Sequence, residues 1–349
     1  MVTVFRLCIQ TYRECFTLSR LNAIVSAPAN TMLMGEHAVL YGHSAVVCAL
    51  TQRIYVRASN RVDGQIVIAS GLGQFQCQQA DLESHLGQSQ GLSFVLQALA
   101  LCNLTNGVDL TIESDFEHTL GLGSSAAVTV ATLGAIELLT KSQLDAQAIL
   151  CLGIESIRKV QGRGSGADVA ASALGGIIKF QAKPLSANKV NIPNKAWLGM
   201  PKLRLIYCGY KTSTPIVIEQ VRQAAIHNPK RFRQLYELMG ACVETGVDAL
   251  NAGNWFTFAQ SMNQYQRLMR YLGVSDETIE IIIQLAKKQV KDGELFGAKI
   301  SGSGLGDCVL LLGSDRLDWP HTQMSVQIDP QGVRQEARLP SETHKEKLL

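Results

Sequence analysis

His118-Thr119-Leu120-Gly121-Leu122-Gly123-Ser124-Ser125-Ala126-Ala127 is a glycine-rich turn that runs straight into an apolar, helix-forming stretch ending near Leu139. Glycines at 121 and 123 permit positive φ and let a ligand come close to the backbone. The hydroxyls of Ser124 and Ser125 and the first free N–H groups of the helix add donors at the positive end of a helix dipole, and together these make an anion site. A nucleotide phosphate fits that description. A tight turn leading into a core helix is the structural alternative for such a segment read alone.

Two familiar phosphate loops fit less well. A P-loop needs Gly-x-x-x-x-Gly-Lys-Ser/Thr, and no lysine lies between Phe116 and Glu137. Gly121-x-Gly123-x-x-Ala126 matches the loose dinucleotide pattern. However, several residues separate it from the preceding strand at 108–113, and no acidic strand end follows at the expected distance.

Working outward, 349 residues at roughly 150 per domain suggest two domains. Charged residues make up 17% of the chain, below the usual ~25%, and with 30 glycines this describes a well-buried chain with many tight turns. The net charge of +3 and the lack of any Lys/Arg run argue against nucleic acid and anionic membrane as partners. Nine cysteines, an odd number without a Cys-x-x-Cys pair, read as reduced thiols of a cytoplasmic protein. Arg6, Arg13 and Glu14 interrupt any signal-peptide core, so residues 1–20 read as an N-terminal extension without an assigned role. The uncharged run from Thr119 to Ile136 is too rich in Gly, Ser and Thr for a membrane span and is expected to be a buried helix.

The first domain, 21–185, opens with strands expected at 22–27, 45–50, 53–59 and 65–69. Helices are expected at 89–101, 124–139 and 144–160, and strands at 108–113 and 177–180. Between the first two strands Glu36 and His37 follow Gly35 in apolar surroundings, where they form either a polar pocket wall or a satisfied buried pair. Asp168 stands at the first turn of a short apolar helix, as a cap or as a working carboxylate. A polar, proline-bearing linker at 182–201 separates this domain from a second one, 200–334. There a strand at 203–208, helices over 214–290 and strands at 296–300, 308–312 and 324–328 make an α+β unit. Lys299-Ile300-Ser301-Gly302-Ser303-Gly304-Leu305-Gly306-Asp307-Cys308 joins two of these late strands, and its glycines permit close backbone approach to a ligand. The charged tail 335–349 is expected to fray.

These three glycine-rich segments resemble, in order and spacing, the three motifs of the galactokinase, homoserine kinase, mevalonate kinase and phosphomevalonate kinase superfamily. Gly121-Leu122-Gly123-Ser124-Ser125-Ala126 matches the family phosphate loop, and Gly35 to Gly42 looks like the first motif of its mevalonate kinase branch. Gly164 to Ala171 and Gly306-Asp307-Cys308 look more like the phosphomevalonate kinase branch. The resemblance implies a two-domain α+β kinase, with an N-terminal domain of ribosomal-protein-S5-like character and a ferredoxin-like C-terminal domain, binding ATP and Mg²⁺ in the cleft between them. It implies the primary alcohol of a small hydroxy acid as acceptor, mevalonate first and phosphomevalonate second, and leaves homodimer formation open. By motif alignment, residues 121–126 hold the nucleotide and Asp168 receives the substrate proton. Glu36, His37, Ser301 and Gly302 face the substrate, and Ser125 with Glu155 holds the metal.

Two positions depart from the family pattern. Asn30 stands where the mevalonate kinase branch carries a lysine, and Ile157 stands where its metal-binding glutamate belongs, Glu155 being two residues further back. Arg163, five residues before Asp168, is the cation expected to compensate for Asn30. A nucleotide-binding sensor or pseudo-kinase is the non-enzyme alternative that these departures keep open.

Overall fold

The computed structural model of the chain describes residues 22–87, 91–117, 121–162, 164–289, 296–313 and 317–342. Its first half is built on an eight-stranded sheet, ordered β12-β1-β2-β5-β3-β4, with β6 paired to both β2 and β7. The strands are β1 (Asn22–Met34), β2 (Ala45–Arg61), β3 (Gln65–Ser70), β4 (Gly73–Gln78), β5 (Gly107–Ser114), β6 (Ile177–Ala182), β7 (Leu185–Lys189) and, from the chain end, β12 (Arg334–Gln335). Helices α1 (Ser93–Ala100), α2 (Ser124–Lys141), α3 (Ala146–Gln161) and α4 (Ala167–Leu174) accompany it, with α2 and α4 packed on β1 and β2.

The β2 strand unites what the sequence divides into 45–50 and 53–59. Exposed Thr51 and half-buried Gln52 look like a turn, but the backbone passes through them without reversing. Residues 45–50 are wholly buried, 45–48 of them paired with β6, whereas Ile54 to Ser59 alternate between core and surface and pair with β5. From Ser124 onward the uncharged run is the buried helix expected from its composition. Within α2 the face from Ala126 to Leu139 is almost continuously buried, and no helix among the described residues is long and apolar enough to cross a membrane.

The second half has a four-stranded antiparallel sheet, ordered β11-β8-β10-β9, from β8 (Leu203–Lys211), β9 (Gly297–Ser301), β10 (Gly306–Leu312) and β11 (Gln323–Val326). Between β8 and β9 run α6 (Thr214–His227), α7 (Pro229–Asn251), α8 (Trp255–Leu272) and α9 (Glu277–Lys288). Each of the last three starts at a side-chain cap: Asn228 accepts from the Arg231 N–H, Asn254 from Thr257 and Asp276 from Ile279.

Three boundary expectations are corrected. The stretch 182–201 is not a bare linker: it contains β7 and α5 (Asn194–Leu198), whose Ala196 carbonyl accepts from the Trp255 indole at 2.9 Å. The second domain does not run to 334, because the chain rejoins the first sheet straight after β11. The Gln327 and Ala49 carbonyls accept from Thr51 and Asp329, and β12 pairs with β1. Buried Arg53 fixes this return through Asp329 at 2.5 Å and the Gly332 carbonyl at 2.6 Å, since a buried guanidinium must be paired. Nor does the tail fray at 335. Ser26 donates to Glu336, Ser341 to Glu113, and Arg57 pairs with Glu342, while Leu339 is buried.

Candidate active site

The glycine turn is threaded between two polar side chains. Gly121 and Gly123 have φ of 68° and 67°, and a Cβ added to them would lie 2.1 Å from Asp307 Oδ1 and 2.2 Å from Asn30 Nδ2 respectively. Only glycine allows both the backbone conformation and the approach. Buried Asn30 props the turn. Its N–H donates to the Leu122 carbonyl at 3.0 Å and its side-chain amide to Ser172 Oγ at 3.0 Å. Leu122 is an apolar peg in the core and Ser124 is half-buried beside it, while Gly121, Gly123, Ser125 and Ala126 line a cleft of about 390 Å³.

Asp168 opens into the same cleft from the first turn of α4. Among the described residues its carboxylate has no hydrogen-bond or ion partner, so it does not cap the helix. Its side chain is exposed to solvent, yet protein is packed densely around it and desolvates the carboxylate in part. That desolvation, with the charge of Glu36 added and Lys211 opposing, pushes its pKa up to about 6.

The opposite wall is made by the first and third motifs. His37 sits at φ 61° and ψ −56°, the centre of a tight turn closed by the Ala38 N–H on the Glu36 carbonyl at 2.7 Å. This backbone region is strained by about 1–3 kcal/mol and persists only where neighbours enforce it. Tyr265 does so by donating to the Glu36 carbonyl at 2.8 Å, and the His37 ring contacts the Ser303 carbonyl at 2.8 Å. Because a carbonyl only accepts, Nε2 holds the proton there, and burial lowers the pKa so that the ring is neutral, with Nδ1 free to accept.

Glu36 is buried, with Oε1 paired to the equally buried Lys299 ammonium at 2.5 Å and Oε2 without a hydrogen-bond partner. Burial raises its pKa, with Lys299 pulling the other way. The Lys299 ammonium also donates to the Met32 and Ile300 carbonyls, and Thr31 Oγ1 lies 2.6 Å from Ser301 Oγ, so β1 and β9 are stitched together beneath the cleft. Ser301 and Gly302 complete this wall.

A glycine turn at a helix start, a carboxylate without a partner among the described residues and a second polar wall share one cleft, as phosphoryl transfer to a small molecule requires. The family profile for the GHMP kinases N terminal domain matches residues 91–176, and that for the GHMP kinases C terminal matches 247–318. A mevalonate kinase of Thermococcus onnurineus is 31% identical over 346 residues, covering 92% of this chain and all of the relative. The chain belongs to the GHMP kinases. L. major mevalonate kinase in complex with R-mevalonate superposes with a TM-score of 0.73 at 20% identity, covering 90% of this chain and 98% of that one. Lactococcus lactis galactokinase complexed with galactose superposes as well, with a TM-score of 0.74 at 16% identity over 95% and 100%. The fold is thus shared across acceptors and does not choose among them.

Within this kinase cleft one expected ligand is missing. Glu155 is corrected: it lies on the outer face of α3, half exposed and paired with Lys159 at 3.1 Å, over a separate depression lined by Cys151 and Arg158. Ile157, not Glu155, faces the cleft, because two residues along a helix turn the side chain to the opposite side. Arg163 lies outside the described residues. Sequence reasoning also missed Lys211, Lys299 and Asp307 as parts of the site. Lys299 had a legible signal, a lone charge between Ala298 and Ile300 in a buried strand. Lys211 had none, being one more polar residue at a strand end.

Proposed function

We propose that the protein transfers the terminal phosphoryl group of ATP to the primary alcohol of mevalonate, giving 5-phosphomevalonate and ADP. The alcohol oxygen forms the new P–O bond as the bond from phosphorus to the bridging oxygen of ADP breaks, and the alcohol proton passes to Asp168. Little covalent chemistry is asked of the protein, so its contribution is positioning and charge neutralisation. The observation behind this reading is the Asp168 carboxylate, without a partner among the described residues, facing the same cleft as the glycine loop. The loop N–H groups suit the nucleotide phosphates, and Glu36 Oε2 with His37 Nδ1 offers acceptors to the acceptor molecule's hydroxyls. Mevalonate is favoured by the likeness to mevalonate kinases along nearly the whole chain. Phosphomevalonate brings a second phosphate, and the described lining of the cleft has one cation, Lys211, to meet it.

The cleft fits a magnesium nucleotide, since Ser125 opens into it from the first turn of α2, where the helix N–H groups face the same space beside glycines 121 and 123. Among the described residues no three His, Cys, Asp or Glu side chains are grouped to hold a metal, so Ser125 would bind Mg²⁺ together with the phosphates and water. When bound, the ion neutralises phosphate charge. Ser125→Ala should raise the Mg²⁺ concentration for half-maximal rate several-fold. Unchanged metal dependence across a magnesium titration would remove Ser125 as a ligand.

The acceptor is tested with a panel of mevalonate, phosphomevalonate, galactose and homoserine followed by coupled ADP detection. Mevalonate should give the highest kcat/KM. A tenfold preference for phosphomevalonate, about 1.4 kcal/mol of transition-state binding, would reverse the assignment.

A further inference from the structure

Transferring a phosphoryl group requires positive charge near it, and the cleft is short of it. Glu36, Asp168 and Asp307 all line it. Lys299 is committed to Glu36 at 2.5 Å, and His37 is held neutral by burial. Asn30 contributes no charge and is engaged with Ser172. Among the described lining residues one ammonium is left, that of Lys211 at the end of β8.

Its position is unusual in two respects. Lys211 Nζ lies 3.0 Å from Asp307 Oδ2, and the other oxygen of Asp307 is buried, unpartnered and set against Gly121 of the phosphate loop. Lys211 is also near enough to Asp168 for its charge to act on that carboxylate. Lys211 thus shares one cleft with the group that would take the acceptor's proton and, through Asp307, adjoins the loop that would hold the nucleotide. With its side chain 41% exposed, Lys211 is open to a ligand.

On the kinase reading above, we infer that Lys211 is a catalytic residue of this site, its ammonium leaving Asp307 to contact the terminal phosphate of ATP and to neutralise the phosphoryl group in transfer. It supplies from β8 the charge absent at Asn30. Asp307 holds the ammonium in place in the nucleotide-free protein, so little ordering is left to do when ATP arrives.

Full-length Lys211→Met and Lys211→Arg are compared with wild type for ATP and ADP affinity by calorimetry without acceptor, for kcat and both KM values, and for thermal midpoint. Lys211→Met should weaken ATP at least tenfold while leaving ADP, which lacks the terminal phosphate, within about twofold, and should lower kcat by roughly 10² to 10³. Lys211→Arg, which keeps the charge, should recover most of both. Equal losses of ATP and ADP affinity with a lowered midpoint would mean that Lys211 merely holds Asp307 and the third motif, overturning the proposal. A raised KM for the acceptor with kcat and ATP affinity intact would move Lys211 to the acceptor's carboxylate and overturn it too. If Lys211→Met does not fold, the ATP-to-ADP affinity ratio of Lys211→Gln gives the same decision. The binding measurements need no acceptor, so a wild type inactive on mevalonate would count against the proposed acceptor and leave the Lys211 result readable.

Discussion

Asp168→Asn should lower kcat by roughly 10² to 10⁴, about 2.7 to 5.4 kcal/mol of transition-state stabilisation, while ATP affinity stays close to wild type. The substitution keeps the shape and removes the proton acceptor. Since the carboxylate has no partner among the described residues, no buried bond is lost and the thermal midpoint should hold or rise. A pH profile adds a second readout. Desolvation by the surrounding protein and the Glu36 charge put the Asp168 pKa at about 6, with Lys211 opposing them, and the base works only when ionised. Wild-type kcat/KM should therefore climb as pH rises through about 6 and level off above it, and the limb should vanish from the residual rate of Asp168→Asn. If the variant keeps most of its rate, another group takes the proton.

The path from sequence to site ran through backbone requirements. The three glycine-rich segments were legible because a tightly approached backbone at positive φ has few alternatives to glycine, and at Gly121 and Gly123 both the φ and the closeness of Asp307 and Asn30 require it. Their order along the chain was enough for the α+β fold. Features that depend on distant partners were hidden. Glu155 and Ile157 differ only in which side of α3 they occupy, and a register shift of two residues cannot be settled without knowing what α3 packs against. The tail looked solvated because Glu336 and Glu342 are charged, yet each meets an arginine from β1–β2 or from its own segment. The cation expected to stand in for the lysine absent at Asn30 was Arg163, which lies outside the described residues, and the cation in the described cleft, Lys211, comes from β8. Local propensity carries no information about such pairings.

Gly123→Val should collapse nucleotide affinity, by 10² or more, which corresponds to about 2.7 kcal/mol. Two costs act together. Valine at φ 67° and ψ 31° occupies the left-handed region, where a β-branched residue is strongly disfavoured. Its Cβ would also meet the Asn30 amide at 2.2 Å, and Asn30 is buried and tied to Ser172, so it has nowhere to swing. Relief comes by moving the turn, which misdirects the N–H groups at the start of α2 from the phosphates. Gly123→Ala separates the two costs: it keeps the contact with Asn30 but strains the backbone less. Combined with Asn30→Ala, which removes the obstructing amide, it should recover part of the affinity lost by Gly123→Ala alone, a non-additive pattern expected of groups in contact. Failure to recover any would assign the whole loss to the backbone angle. Calorimetric ATP titrations of the three variants and of Gly123→Val, alongside thermal melts, supply both answers. A Gly123→Val protein that melts like wild type and still binds ATP with wild-type affinity would mean that the glycine turn is a structural corner and that the nucleotide sits elsewhere.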